Sequence, residues 1–99
     1  GVRISDNVLI AANCVITSVS HPTAADQRRQ LVLSPVELLD NCWIGANSVI
    51  LPGVTIGKNS IVAAGSVVTA SIPDNCICAG IPAKIVRNLN SIEGSSCTP

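Results

Sequence analysis

Ile44-Gly45-Ala46-Asn47-Ser48-Val49, Ile50-Leu51-Pro52-Gly53-Val54-Thr55 and Ile56-Gly57-Lys58-Asn59-Ser60-Ile61 are consecutive six-residue blocks, each opening on isoleucine. The frame extends in both directions. Behind it stand Ile4, Ile10 and Ile16 and then, after an interruption, Leu38; ahead of it stand Val62 and Val68. All nine of these residues are aliphatic and eight are β-branched. Four residues further into the blocks come small or aliphatic side chains, such as Val8, Cys14, Cys42, Ser48, Val54, Ser60 and Ser66. Asn, Asp or Gly recur near the block corners, as in Asp6-Asn7, Asp40-Asn41 and Lys58-Asn59. A period of six is neither the helical repeat nor plain strand alternation. It suits a chain that runs a short strand, turns a corner and repeats. Three blocks then close one triangular turn, and turns stack at the strand spacing of about 4.8 Å. Self-similarity of this kind marks a solenoid. The expected fold is all-β: a parallel β-helix of about three triangular coils, with the frame aliphatics inside and Asn or Gly at corners that demand unusual backbone angles.

Composition agrees. The chain has 99 residues, 47% hydrophobic, yet one Trp and no Phe, Tyr or Met. A common globular core would bury several large rings; a narrow triangular prism has room only for aliphatic and small side chains. With six basic against six acidic residues and a single aromatic ring, neither the electrostatics nor the stacking of nucleic-acid binding is present. The uncharged stretch from Asn41 to Gly57 is broken by Gly45, Pro52 and Gly53 and fits a bilayer poorly. The five cysteines, Cys14, Cys42, Cys76, Cys78 and Cys97, form no C-x-x-C pair and have one histidine to join them. They are expected to be small, reduced thiols of a cytoplasmic protein rather than a disulfide framework or a metal site.

From Ile16 to Leu38 the frame carries 16 residues too many. A loop over about residues 21–37 is expected to leave the prism there, and long loops in regular solenoids tend to be functional. After Val68 the six-step pattern ends. Ser71–Asn75 reads as a turn, Cys76–Ala79 as one more strand, Gly80–Ala83 as a turn, and Lys84–Leu89 as a short helix or irregular cap. This sets a domain over 1–89 and a poorly ordered tail over 90–99.

The blocks quoted above, with Ala63-Ala64-Gly65-Ser66-Val67-Val68-Thr69 and Ala79-Gly80-Ile81-Pro82-Ala83-Lys84, resemble the hexapeptide-repeat acyltransferases, in the branch of galactoside, maltose and nodulation-factor O-acetyltransferases. The resemblance covers roughly Val2 to Arg87. It implies a left-handed winding, a homotrimer, and acetyl-CoA as co-substrate with no metal. It also implies transfer of an acetyl group to a hydroxyl of a sugar or related small molecule. His21, followed by Pro22 at the exit to the loop, stands at the family's catalytic His-Pro; an imidazole is suited to accept the hydroxyl proton as attack begins. Trp43, in Trp43-Ile44-Gly45, matches the ring beside the acetyl end and acceptor pocket. Its phase in the repeat points it outward or sets it at a corner rather than inside the prism. Ala46 and Ala64 match contacts to the pantetheine arm. Thr69 and Ala70 match a Thr-Lys pair near the nucleotide, so Ala70 lacks a positive charge usual there. Lys84 and Arg87 match the basic pair that meets the nucleotide phosphates.

Each residue also has a plainer reading: a solvated loop imidazole for His21, an aromatic patch at a subunit contact for Trp43, a solvated basic patch for Lys84 and Arg87. The family's N-terminal helical region and earlier coils have no counterpart ahead of Gly1. The chain reads as beginning in mid-structure, with an uncovered first coil that needs a trimer or another partner. That leaves a second reading, a β-helical trimerisation or coenzyme-A-binding module without turnover. Within the enzyme reading, a polysaccharide, an antibiotic or an amine could be the acceptor. A metal-dependent hydratase would need several histidines, and His21 is the only one.

Overall fold

The structure is a computed structural model that describes residues 1–90. Short parallel strands form three faces of a prism. The first face stacks Val2–Ile4, Val36–Leu38 and Thr55–Ile56, continued by a bridge from Ile56 to Ile72. The second stacks Leu9–Ile10, Trp43–Ile44, Ile61–Val62, Cys76–Gly80 and finally Ala83–Asn88. The third stacks Val15–Ile16, Val49–Ile50 and Val67–Val68. Leu38 pairs with Ile56, Ile44 with Val62 and Ile50 with Val68, so one coil takes 18 residues, or three blocks of six.

The frame residues fill the interior. Leu38, Ile44, Ile50, Ile56, Val62 and Val68 are all 0% exposed. Full burial of one such side chain stabilises by about 1.5–3 kcal/mol. In the first coil the same positions face solvent, Ile4 at 52% and Ile10 at 40%, because only the second coil covers them. Between the aliphatics, Ser48, Ser60 and Ser66 are buried and each donates its hydroxyl to a main-chain carbonyl. A small polar side chain can be buried at these positions because the backbone supplies the acceptor.

The corners explain the recurring asparagines. Asn7, Asn13, Asn41, Asn47, Asn59 and Asn75 all have positive φ, from 58° to 63°. Asn tolerates this left-handed region better than other side chains. The conformation aims each corner N–H along the prism axis: Asn41 donates to Asp6 O, Asn47 to Ala12 O, Asn59 to Asp40 O and Asn75 to Lys58 O, at 2.8–3.0 Å. Gly45 answers a different constraint. A Cβ there would lie 2.6 Å from Ala64 N and 2.7 Å from Val62 O, so the next coil leaves no space for a side chain.

Three sequence expectations change. The inserted loop ends before Val36, because Val36–Leu38 already pairs with Val2–Ile4 and Val36 is 0% exposed. Ile72 belongs to the first face rather than to a turn: it is buried and bridges Ile56, and the frame simply loses two residues at that corner. Lys84–Leu89 is neither helix nor irregular cap. Ala83–Asn88 is a strand antiparallel to Cys76–Gly80, with an irregularity between Ile77 and Cys78 and a cis Ile81–Pro82 peptide at the turn. The open edge of Cys76–Gly80 offers unpaired backbone groups, and the returning chain satisfies them. Of the tail expected over 90–99, Asn90 is described, its N–H bonded to Asn88 Oδ1 at 2.8 Å, and residues 91–99, with Cys97, lie outside the described residues. Cys42, Cys76 and Cys78 are buried free thiols and Cys14 is half-buried.

Candidate active site

The chain leaves the prism at the corner after the third face. Thr17 N still donates to Ile50 O, and Thr17 Oγ1 pairs locally with Val19. Val19–Ser20 then runs antiparallel to Val32–Leu33 and forms the neck of an arm. Ser34 N donates to Ser18 O, and Gly53 N to Ser34 O, which ties the base of the arm to the prism. Beyond the neck the chain folds on itself through a 3-10 turn at Ala25–Gln27, with no buried residue and no side-chain cap.

His21 is the first residue past the neck, and it is exposed. Its Nδ1 lies 2.9 Å from Gln30 O. A carbonyl can only accept, so Nδ1 carries the proton and donates it. In the neutral ring Nε2 then holds the free lone pair, and it has no hydrogen-bond partner among the described residues. Arg28 Nη2 donates to Thr23 O at 2.9 Å across the arm. Ser20, His21, Pro22, Thr23 and Arg28 together line an open depression of about 670 Å³. The site therefore presents an imidazole with Nδ1–H hydrogen-bonded and Nε2 free, in a depression that Arg28 also lines. Among the described residues there is no group of three or more His, Cys, Asp or Glu that could hold a metal ion.

The other sequence candidates lie elsewhere on the same protomer. Trp43 faces outward from the second face, half-buried, between Leu9 and Ile61. Ala46 and Ala64 share the next corner, where Gly65 N donates to Ala46 O at 2.8 Å. Thr69 and Ala70 are exposed just past Val67–Val68. Lys84 and Arg87 sit on the last strand, paired with Ala79 and Ile77. Ile77, Ile61 and Trp43 stack in register, so Arg87 stands three strand spacings from Trp43, about 14 Å. None of these lines the depression around His21. Sequence reasoning did not find Gln30, Thr23 or Arg28 at the site. The first two act through main-chain carbonyls, which no residue type announces.

Two family models match the chain. The bacterial transferase hexapeptide model (six repeats) matches residues 35–70, and the hexapeptide repeat of succinyl-transferase matches residues 1–18. The gap between them is the arm. The chain belongs to the hexapeptide-repeat acyltransferases. It is 44% identical to the galactoside O-acetyltransferase of Escherichia coli (strain K12) over 91 residues, which is 90% of this chain and 45% of that protein. A galactoside acetyltransferase solved in complex with coenzyme A superposes with a TM-score of 0.86 at 44% identity, covering 90% of this chain and 46% of that one. A maltose O-acetyltransferase from Clostridium difficile 630 also superposes at 0.86, with 40% identity, covering 91% of this chain and 49% of that one. This hexapeptide-repeat chain thus spans about half the length of the relatives it matches. The superpositions agree with the left-handed winding. No helix among the described residues is long and apolar enough to cross a membrane.

Proposed function

We propose that this chain carries the acyl-transfer centre of an acetyl-CoA-dependent O-acetyltransferase that works as a cytoplasmic homotrimer on a hydroxyl of a sugar or related small molecule. The observation that carries the reading is the bond from His21 Nδ1–H to Gln30 O, which leaves Nε2 as the basic atom at the edge of an open depression. A hydroxyl is a weak nucleophile near neutral pH, and a positioned imidazole can take its proton as the new bond forms. The acceptor oxygen attacks the acetyl carbonyl while its proton passes to His21 Nε2. The carbon–sulfur bond then breaks, and Nε2 returns the proton to the departing thiolate. The ester and the free thiol are the products, and His21 ends as it began.

Donor binding is assigned to the residues that the resemblance matches: Trp43 near the acetyl end, the Ala46 and Ala64 corner along the pantetheine arm, and Thr69, Ala70, Lys84 and Arg87 toward the nucleotide. The ordered corner carbonyls and N–H groups, with only methyl side chains in front of them, suit an extended chain that binds through the backbone. A trimer is supported by the outer faces. The third face presents Val15, Val49 and Val67, and the second presents Leu9, Trp43 and Ile61, whereas the first presents Arg3, Glu37 and Thr55. Two different apolar faces fit a heterologous contact that closes a ring. Such a ring would set His21 of one protomer near the second face of its neighbour. Cytoplasmic placement is supported by the free thiols.

The test is thiol release from acetyl-CoA with a panel of sugars. His21→Ala should abolish the acceptor-dependent rate, and an unchanged rate would refute the mechanism.

A further inference from the structure

We infer that Arg28 is a positioning residue for His21, acting through the arm's carbonyls; this rests on the reading of His21 as the general base. The bond from Nδ1–H to Gln30 O selects one tautomer. A free histidine side chain in water prefers its proton on Nε2, which would leave no lone pair facing an acceptor hydroxyl. The carbonyl of Gln30 has to overcome that preference, and it can do so only if it is held in place.

Its place is set by two consecutive turns. Gln27 N donates to Ala24 O, and Gln30 N to Gln27 O, both at 3.0 Å. Main-chain bonds this exposed open readily on their own. The 3-10 segment has no side-chain cap and no buried residue to hold it. Arg28 supplies the missing tie. Its Nη2 reaches back to Thr23 O at 2.9 Å, which joins the residue ahead of the first turn to a residue inside the second. The loop that presents Gln30 O is thereby closed as a ring. The planar guanidinium holds its geometry better than a flexible amine would. Arg28 also lines the depression with His21, so ring and base share one wall. Asp26 and Arg29 are the other charged groups of the arm, and neither takes part in these bonds.

The experiment is nitrogen-15 NMR of the His21 ring, at a pH where it is neutral, in the wild type, Arg28→Gln and Arg28→Lys. The wild type should show a protonated Nδ1 and an unprotonated Nε2. Arg28→Gln should move the larger share of the proton to Nε2, and Arg28→Lys should recover part of the wild-type pattern. Turnover should follow, with kcat about 3–10-fold lower in Arg28→Gln, the worth of one hydrogen bond, and KM for acetyl-CoA unchanged. An Nδ1–H fraction in Arg28→Gln equal to wild type overturns the inference, whatever the rate does. The arm carries no core residue, so far-UV circular dichroism should be the same for all three proteins. Were Arg28→Gln to misfold, the same spectral comparison with Arg28→Lys decides. If His21→Ala keeps full activity, the base reading fails, while the nitrogen spectrum still decides the role of Arg28.

Discussion

Replacing Ser60 by Ala should destabilise the prism more than the same change at Ser48, another of the buried serines. Ser60 is 0% exposed, and its hydroxyl makes two bonds. Oγ donates to Pro73 O at 2.6 Å and accepts the Cys76 N–H at 3.1 Å, which ties the second-last coil to the shortened corner that follows Ile72. Alanine removes both. The Cys76 N–H is buried and loses its acceptor, a loss of about 1–3 kcal/mol, and the bond to Pro73 O is worth about 1 kcal/mol more. The expected total is about 2–4 kcal/mol. Ser48 gives the contrast: its hydroxyl donates to Ala63 O at 3.1 Å, and that carbonyl keeps the Ser66 hydroxyl at 2.7 Å. Ser48→Ala therefore loses one bond and orphans nothing, for about 1 kcal/mol. Urea unfolding at a single fixed protein concentration measures both, since the proposed assembly would make stability concentration-dependent. With a slope of about 1–1.5 kcal/mol/M for a chain of this size, the Ser60→Ala midpoint should fall by about 2 M at constant slope. A fall no larger than that of Ser48→Ala would refute the assignment of Ser60 as the tie between coils.

Two further outcomes follow from the same structure. Burial pushes the Cys42 and Cys78 thiols up to about 11 from an ordinary 9.0. The unfolded chain releases these protons first as pH rises, so stability is complete below about pH 9 and falls as pH climbs toward 11. Replacing both residues by Ser or Ala should flatten the alkaline limb of a melting-temperature profile. In the proposed donor site, Ala70→Lys should add a positive charge near the nucleotide end and lower KM for acetyl-CoA by about 2–5-fold, an effect that added salt should erase because the position is exposed. A KM unchanged at low salt would remove Ala70 from the donor site.

How far the sequence could be read depended on whether structure was set locally or by a distant partner. Ile44, Ile50, Ile56, Val62 and Val68 were legible because an inward position recurs every six residues and only an aliphatic fits there. The corner asparagines were legible for the same reason. The size of the insertion followed from the count alone. Ile72 was not legible: it comes four residues after Val68, where a six-step frame lands on Asp74, and only the bridge to Ile56 reveals it. Ala83–Asn88 was missed because its strand state comes from the open edge of Cys76–Gly80, not from its own pattern. At the site, His21 could be found as the only histidine at the loop exit. The group that orients it could not, because a main-chain carbonyl such as Gln30 O has no signature in residue type.

The contrast between prism and arm bears on where the precision of the proposed site would come from. Prism positions are fixed by buried aliphatics and corner ladders that act together. The arm that carries His21 is fixed by a two-pair neck and a few exposed hydrogen bonds, each worth about 1 kcal/mol. Thermal opening at that level would leave the imidazole out of place for part of the time. The arm also exposes Leu31 at 64% and Leu33 at 68%, apolar groups left largely uncovered by the described residues. In the proposed trimer a neighbouring outer face can cover them, and that contact would order the base in the same step that brings Trp43 to it. Assembly would then do two jobs in one event: it completes the list of site residues, and it supplies the rigidity that the arm's own bonds are too few to provide.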